Sequence, residues 1–261
     1  MENSDADLPL WAVMLLVVGM TVAFAVGGQA LIRWMFPKLR EKRHNDVAGF
    51  LVAVIGVIYA VTVGFIIAEQ WNNFTDAREH AQQEAFALSS IAQGGVILGP
   101  IWQAQMEQAV VRYNQAVIKG WPQQGDAEEL GRIREEQTLD PLFALLDQVR
   151  PTTPAQRAYV DQASKQLTFA VADREERLYR AGTSHLERPL WVLVVFASGV
   201  ILLFCMLFGL ESRWLHYTMI TGVAMTVSCN LLLVVLLNHP LSGTLQVSPD
   251  AYKSVVRDLT R

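Results

Sequence analysis

Charge is absent from four long stretches of the chain, residues 10–32, 47–68, 190–210 and 217–237, and apolar side chains fill most of their positions. Each is about 21 to 23 residues long, enough for one helix to cross the hydrocarbon core of a bilayer. Between the second and third stretches the pattern turns to helical periodicity with polar faces, and no alternating strand pattern interrupts it. From Trp71 the apolar positions Phe74, Ala77, Ala81, Ala85, Leu88 and Ile91 step by three and four. That spacing predicts a second span that continues as one long amphipathic helix until Gly94-Gly95 stops it.

Another helix is predicted over 101–119, with Met106, Ala109, Val110, Tyr113 and Val117 on one face and Gly120 and Pro122 at its end. Asp126 and Glu129 have capping-box spacing, and Asp140-Pro141 has the order of an N-cap followed by proline, so two short helices are expected there. Thr153-Pro154 repeats that order ahead of Tyr159, Ala163, Leu167, Ala170, Val171, Leu178 and Ala181, a stripe expected to run into the third span with little interruption. After the fourth span, 239–243 reads as a turn, and Ser248-Pro249 opens a short amphipathic helix carrying Tyr252, Val255, Val256 and Leu259.

The expected fold is therefore all-α: a polytopic membrane protein with four transmembrane helices and a helical extramembrane bundle inserted between the second and third. Its parts are an outer tail (1–9), spans one and two (10–68) with a basic cytoplasmic loop (33–46), the helical domain (69–188), spans three and four (189–237), and the C-terminal turn and helix (238–261).

Composition agrees: 52% of the 261 residues are apolar and 18% charged, too oily for an ordinary soluble domain. A net charge of −4 with no extended basic tract argues against a nucleic-acid partner. The two cysteines, Cys205 and Cys229, lie inside apolar spans with no CxxC, and read as packed thiols. No phosphate loop, GxSxG, HExxH or dinucleotide fingerprint is present, so neither an enzyme nor a cofactor is expected. The first span follows an acidic start and is too long for a signal-peptide core, and should be retained.

Orientation follows from short-loop charge. Arg33, Lys38, Arg40, Lys42 and Arg43 sit between spans one and two, whereas no Lys or Arg precedes Pro9, so that loop is expected in the cytoplasm. Both termini and 69–188 are then outside; the 12 Lys and Arg of that long segment do not overturn this, since long segments cross largely regardless of charge. Trp11, Trp34, Trp71, Trp191 and Trp214 flank the spans, where indoles settle at headgroup depth.

Candidate chemistry is sparse. Asp76, His80 and Glu84 share a helix face at i, i+4 and i+8 and are the nearest approach to a metal site, although such a run is more often a solvated face. The second span is more informative. At 100° per residue, Gly49, Ala53, Gly56, Ala60, Gly64 and Ala68 form one stripe of small side chains, while Ile55, Ile58, Phe65 and Ile66 lie elsewhere. Such a stripe either lets helices pack closely or lines the axis of an oligomer and leaves room for ions. If the helix stays straight, Trp71, Thr75, Arg78 and Gln82 continue the same phase, and one Arg per subunit at a pore mouth would favour anions.

His44-Asn45-Asp46-Val47-Ala48-Gly49-Phe50, Gly56-Val57-Ile58-Tyr59-Ala60, the helix over 71–88 with Glu84-Ala85, and Pro240-Leu241-Ser242-Gly243 with Ser248-Pro249 resemble the bacterial bestrophin-like domain family. The resemblance covers nearly the whole chain. It implies similarity to bestrophins, pentameric anion channels whose second of four transmembrane helices lines the pore, and hence self-association and small ions as partners beside the lipid bilayer. It carries over His44, Asn45, Gly49, Gly56 and Ala60 as motif positions without establishing their roles; with the phase of the second span, the pore-mouth candidates are His44, Asn45, Trp71, Thr75 and Arg78. Bestrophins keep the segment after the second helix in the cytosol, opposite to the charge count. Two functions remain in competition: an ion channel lined by the second span, and a non-conducting membrane-anchored sensor or scaffold whose bundle binds a partner.

Overall fold

The computed structural model describes residues 10–35, 45–121, 129–183, 186–207, 213–238, 241 and 245–261. Among them are eight α-helices: α1 (Leu10–Met35), α2 (Asn45–Gly94), α3 (Pro100–Gly120), α4 (Glu129–Gln148), α5 (Pro154–Thr183), α6 (Arg188–Leu207), α7 (Arg213–Leu237) and α8 (Asp250–Leu259). A 3-10 turn over Gly95–Leu98 joins α2 to α3, and no strand occurs among the described residues. The all-α expectation holds, and α1, α2, α6 and α7 are long and apolar enough to cross a membrane. His44, Asp126, the tail 1–9, loop positions 36–44 and most of the turn 239–243 lie outside the described residues.

The chain divides into two compact units, residues 1–70 with 186–238 and residues 71–185 with 239–261. In the first, α1 packs along α7, and α6 packs on both. Its core holds Ala25, Tyr59, Val63, Val194, Ile201, Leu202, Met206, Ile220, Ala224 and Val227. Few polar groups enter it, and the central ones are paired: Tyr59 Oη lies 3.0 Å from Ser198 Oγ, which bonds the Val194 carbonyl at 2.8 Å. The outer surface is unsuited to water. Phe24, Phe50, Phe65, Val192 and Phe196 are all exposed, large apolar side chains of the kind lipid covers.

In the second unit, residues 71–94 of α2 pack with α3, α4, α5 and α8 around one core. The predicted stripes are buried there: Ala77, Ala81, Ala85, Leu88 and Ile91 of α2, Met106, Ala109, Val110, Tyr113 and Val117 of α3, and Tyr159, Ala163, Leu167 and Ala170 of α5. Helix α8 packs against α3 and buries Tyr252 and Val255. Thr153 caps α5, its Oγ1 accepting from the Gln156 backbone N–H at 3.2 Å.

Two expectations are corrected. Residues 129–148 form one helix with Pro141 inside it, not two short helices broken at Asp140-Pro141. Proline removes one backbone bond, but Leu139, Leu142 and Leu146 are buried at helical spacing on both sides of it, which keeps a single face in the core. Helix α5 also does not run on into the third span: it ends at Thr183, and α6 begins anew at Arg188. Pro189 has no N–H with which to carry a helix on from the preceding turn, and the Leu190 and Trp191 N–H groups bond the Glu187 carbonyl at 2.9 and 3.1 Å, the first turn of a new helix.

The end of α2 falls where the glycine pair predicted it. Tyr159 donates its hydroxyl to the Ile91 carbonyl at 2.7 Å, satisfying one of the last-turn acceptors that lack a helical partner. Burial pushes the Tyr159 hydroxyl up to about 12, so it remains a neutral donor. A Cβ on Gly94 would stand 2.6 Å from the Tyr159 ring. Gly94 itself has ordinary helical angles (φ −68°), so Gly94→Ala would otherwise stabilise the helix by about 0.5–1 kcal/mol. Displacing the ring costs about 1–3 kcal/mol. The expected net is a loss of about 1 kcal/mol, read as a lower melting temperature; a gain would show that Tyr159 does not press on this position. Beyond the 3-10 turn, Gly99 takes φ +102°, where a side chain is strained, and Pro100 starts α3.

Candidate functional site

The spanning part of α2 has three faces. Tyr59, Val63 and Gln70 form a buried strip, flanked by Ile55, Ile66 and Ile67, which pack on the first unit's core. About 100° around the helix lies the small-residue stripe. Ala53, Ala60, Gly64 and Ala68 are exposed on it, and Gly49 and Gly56 are half-buried. A Cβ built on Gly56 or Gly64 meets nothing within 4 Å. Farther round are the bulky residues Phe50, Val54, Val61 and Phe65, the last 72% exposed. Among the described residues, nothing packs against the stripe at Gly56 or Gly64. Gly56 and Ala60 instead border an open groove of about 440 Å³, whose other side carries Gly222, Thr226 and Asn230 of α7.

The remaining predicted positions fall as follows. Asn45 is the first residue of α2. Trp71, Thr75 and Arg78 belong to the second unit and are exposed. Trp71 stacks on Phe74 at 5.9 Å, and Thr75 bonds back to the Trp71 carbonyl at 2.9 Å. Arg78 and Gln82 line a pocket of about 230 Å³ with Gln246, Ser248 and Asp250. The Asp250 carboxyl is held below its usual range, first by a hydrogen bond from Ser248 and then by Lys253.

The structure does not bring Asp76, His80 and Glu84 together as a metal site. Asp76 pairs with Arg180 at 2.9 Å, His80 Nδ1 lies 2.9 Å from Asp173, and Glu84 points into the core. Among the described residues no group of three or more His, Cys, Asp or Glu is placed to hold a metal.

Glu84 has a different role. It and Arg177 of α5 are both 0% exposed and form a forked pair, Nε to Oε2 at 2.9 Å and Nη2 to Oε1 at 3.4 Å. Tyr113 of α3 donates to Oε1, and Tyr252 of α8 donates to Oε2 at 2.8 Å. The guanidinium lies 5.4 Å from the Trp121 ring and 5.8 Å from that of Tyr252, while Trp121 Nε1 donates to the Val247 carbonyl at 2.7 Å. Two desolvated charges are tolerable only when so fully bonded.

A family model of the bestrophin-like domain matches residues 19–252. The chain belongs to the bestrophin-like family. Among solved structures it is similar to a bacterial bestrophin homologue from Klebsiella pneumoniae carrying one substitution, with 13% identity over 95% of this chain and 99% of that one and a TM-score of 0.73. It is also similar to a membrane protein carrying one substitution, at 14% identity over 94% and 97% of the two chains, with a TM-score of 0.67. At those identities the likeness is one of fold. No curated protein matches.

Sequence reasoning placed Tyr113 and Tyr252 of this bestrophin-like chain among apolar positions and did not single out Arg177. The signal was present. The α5 stripe of 159, 163, 167 and 170 continues at 174 and 177, both arginine, and Glu84 falls beside Ala81, Ala85 and Leu88 on the apolar phase of α2. Opposite charges on the core phases of two helices point to a buried pair.

Proposed function

We propose that this chain assembles with copies of itself, five by analogy with bestrophins, and conducts small ions along the α2 face of Gly49, Ala53, Gly56, Ala60, Gly64 and Ala68. The observation that carries this reading is the uncovered state of that face, with no neighbour within 4 Å of a Cβ at Gly56 or Gly64. A span with an unfilled small-residue face is completed by other copies, and Gly and Ala leave backbone accessible to ions where bulky side chains would close the path. In the sequence Arg78 falls on the same 100° helical phase, and one guanidinium per subunit supports a preference for anions. Membership of the bestrophin-like family supports the same function.

The test is ion flux from liposomes holding the purified protein. Chloride should leave faster than potassium, and Arg78→Gln should narrow that difference. A homogeneous oligomer that passes neither ion would favour the scaffold reading.

We also propose, on the resemblance to a bacterial family, that the protein sits in the bacterial inner membrane, and, on short-loop charge, that both termini and the second unit lie outside the cytoplasm. A cysteine at the exposed Ser164 should react with an impermeant maleimide on intact cells. Labelling only after lysis would invert the orientation, as bestrophins would have it.

A further inference from the structure

His216, in the first turn of α7, is 2% exposed, and Gln29 of α1 is 1% exposed. They meet at the last turn of α6, where carbonyls lack helical partners. His216 Nε2 lies 3.2 Å from the Cys205 carbonyl and so carries a proton. Gln29 has partners at both ends of its amide in one orientation: nitrogen donating to the Met206 carbonyl at 2.7 Å, oxygen 3.3 Å from Arg33 Nε and 3.2 Å from His216 Nδ1. Arg33 Nη2 lies 3.3 Å from that same Nδ1, and its guanidinium lies 5.8 Å from the Tyr217 ring.

A neutral imidazole satisfies all of these contacts but one, the Gln29 oxygen facing the unprotonated Nδ1 at 3.2 Å, acceptor to acceptor. Nε2–H donates to Cys205, Nδ1 accepts from Arg33, and the Gln29 oxygen accepts from Arg33 Nε. A second proton on the ring would set Nδ1–H against a guanidinium N–H at 3.3 Å, donor against donor and charge against like charge. The Gln29 oxygen, 3.2 Å from Nδ1, is already placed to accept from Nδ1–H instead.

We propose that His216, Gln29 and Arg33 form a proton-operated latch on the end of α1. With His216 neutral, Nδ1 holds Arg33. When the ring takes up one proton, Nδ1–H turns to Gln29 and Arg33 leaves the imidazole. Among the described residues, the charged group shown against the ring is Arg33 of α1, whose guanidinium also meets the Tyr217 ring of α7; Gln29 is neutral. Arg33 has a further interaction beside these. The closure of α1 against α6 and α7 thus becomes sensitive to pH in the range where histidine titrates.

The experiment is solid-state NMR of the full-length protein in liposomes with labelled histidine and arginine. The chain has five histidines, and His216→Gln identifies the signal. At neutral pH His216 should be the Nε2–H tautomer in through-space contact with a guanidinium, and that contact should vanish as the ring becomes imidazolium. Arg33→Gln, which identifies the same signal if His216→Gln does not assemble, should raise proton affinity by about tenfold or more, one pH unit. Gln29→Leu should lower it. The latch is overturned by a contact that survives protonation, by an Arg33→Gln variant with an unchanged midpoint, or by a ring still neutral at about pH 4, far below the ordinary histidine range.

Discussion

Glu84→Ala should cost the second unit about 3–5 kcal/mol, because it leaves Arg177 as a buried charge without its counter-ion. Arg177→Ala should cost as much for the converse reason. Both side chains are fully buried, so water cannot take the place of the lost partner. The loss is a large share of the roughly 5–15 kcal/mol that holds a typical domain together. Tyr113 and Tyr252 would lose their acceptor as well, loosening α3 and α8 together with α5. The double replacement Glu84→Leu with Arg177→Met removes both charges and should recover much of the stability, since a buried pair is often no better than well-packed apolar residues. Thermal unfolding in detergent, followed by circular dichroism, measures all of these. Single variants as stable as the parent, or a double variant no better than either single one, would show that the pair does not hold this core.

Gly56→Leu and Ala60→Leu should reduce ion flux by more than tenfold while leaving the oligomer intact. In the single chain Gly56 has open space around an added Cβ, and Ala60 is exposed, so neither change disturbs the fold of one subunit. The effect must therefore arise where copies meet. If the stripe faces an axial path, leucine side chains from every subunit narrow it. If it only packs helices together, the same substitutions dissociate the oligomer. Val61→Leu, on the bulky exposed side of α2, serves as the control and should change neither. Unchanged flux and unchanged assembly at Gly56 and Ala60 would remove the stripe from both roles.

Much of the architecture was legible because it rests on local patterns. Uncharged runs of about 21 residues mark the spans by length alone. The steps from Phe74 to Ile91 fixed the continuation of α2, and Gly94-Gly95 fixed its end, because periodicity and chain-breaking residues act within one helix. Pro141 misled for a related reason: a local rule forbids proline inside a helix, yet burial of Leu139, Leu142 and Leu146 in the core overrides it. Pairings between helices were not legible. Glu84 finds Arg177 across 93 residues, and Gln29 finds His216 across 187. Each depends on which helices become neighbours and in what register, and a single sequence states neither. Asp76, His80 and Glu84 show the limit most clearly. Their shared face was read correctly, but each is taken by a different partner on α5, Arg180, Asp173 and Arg177. The small-residue stripe was visible as a pattern; that Gly56 and Gly64 lie open among the described residues required the structure.

The most direct test of an α2-lined conduction path is a single-particle reconstruction of the detergent-solubilised full-length protein. The proposal predicts a closed ring with Gly49, Gly56, Ala60 and Gly64 of every subunit facing a continuous central path. A monomer, or a dimer with these residues buried between two helices and no axial path, would contradict it.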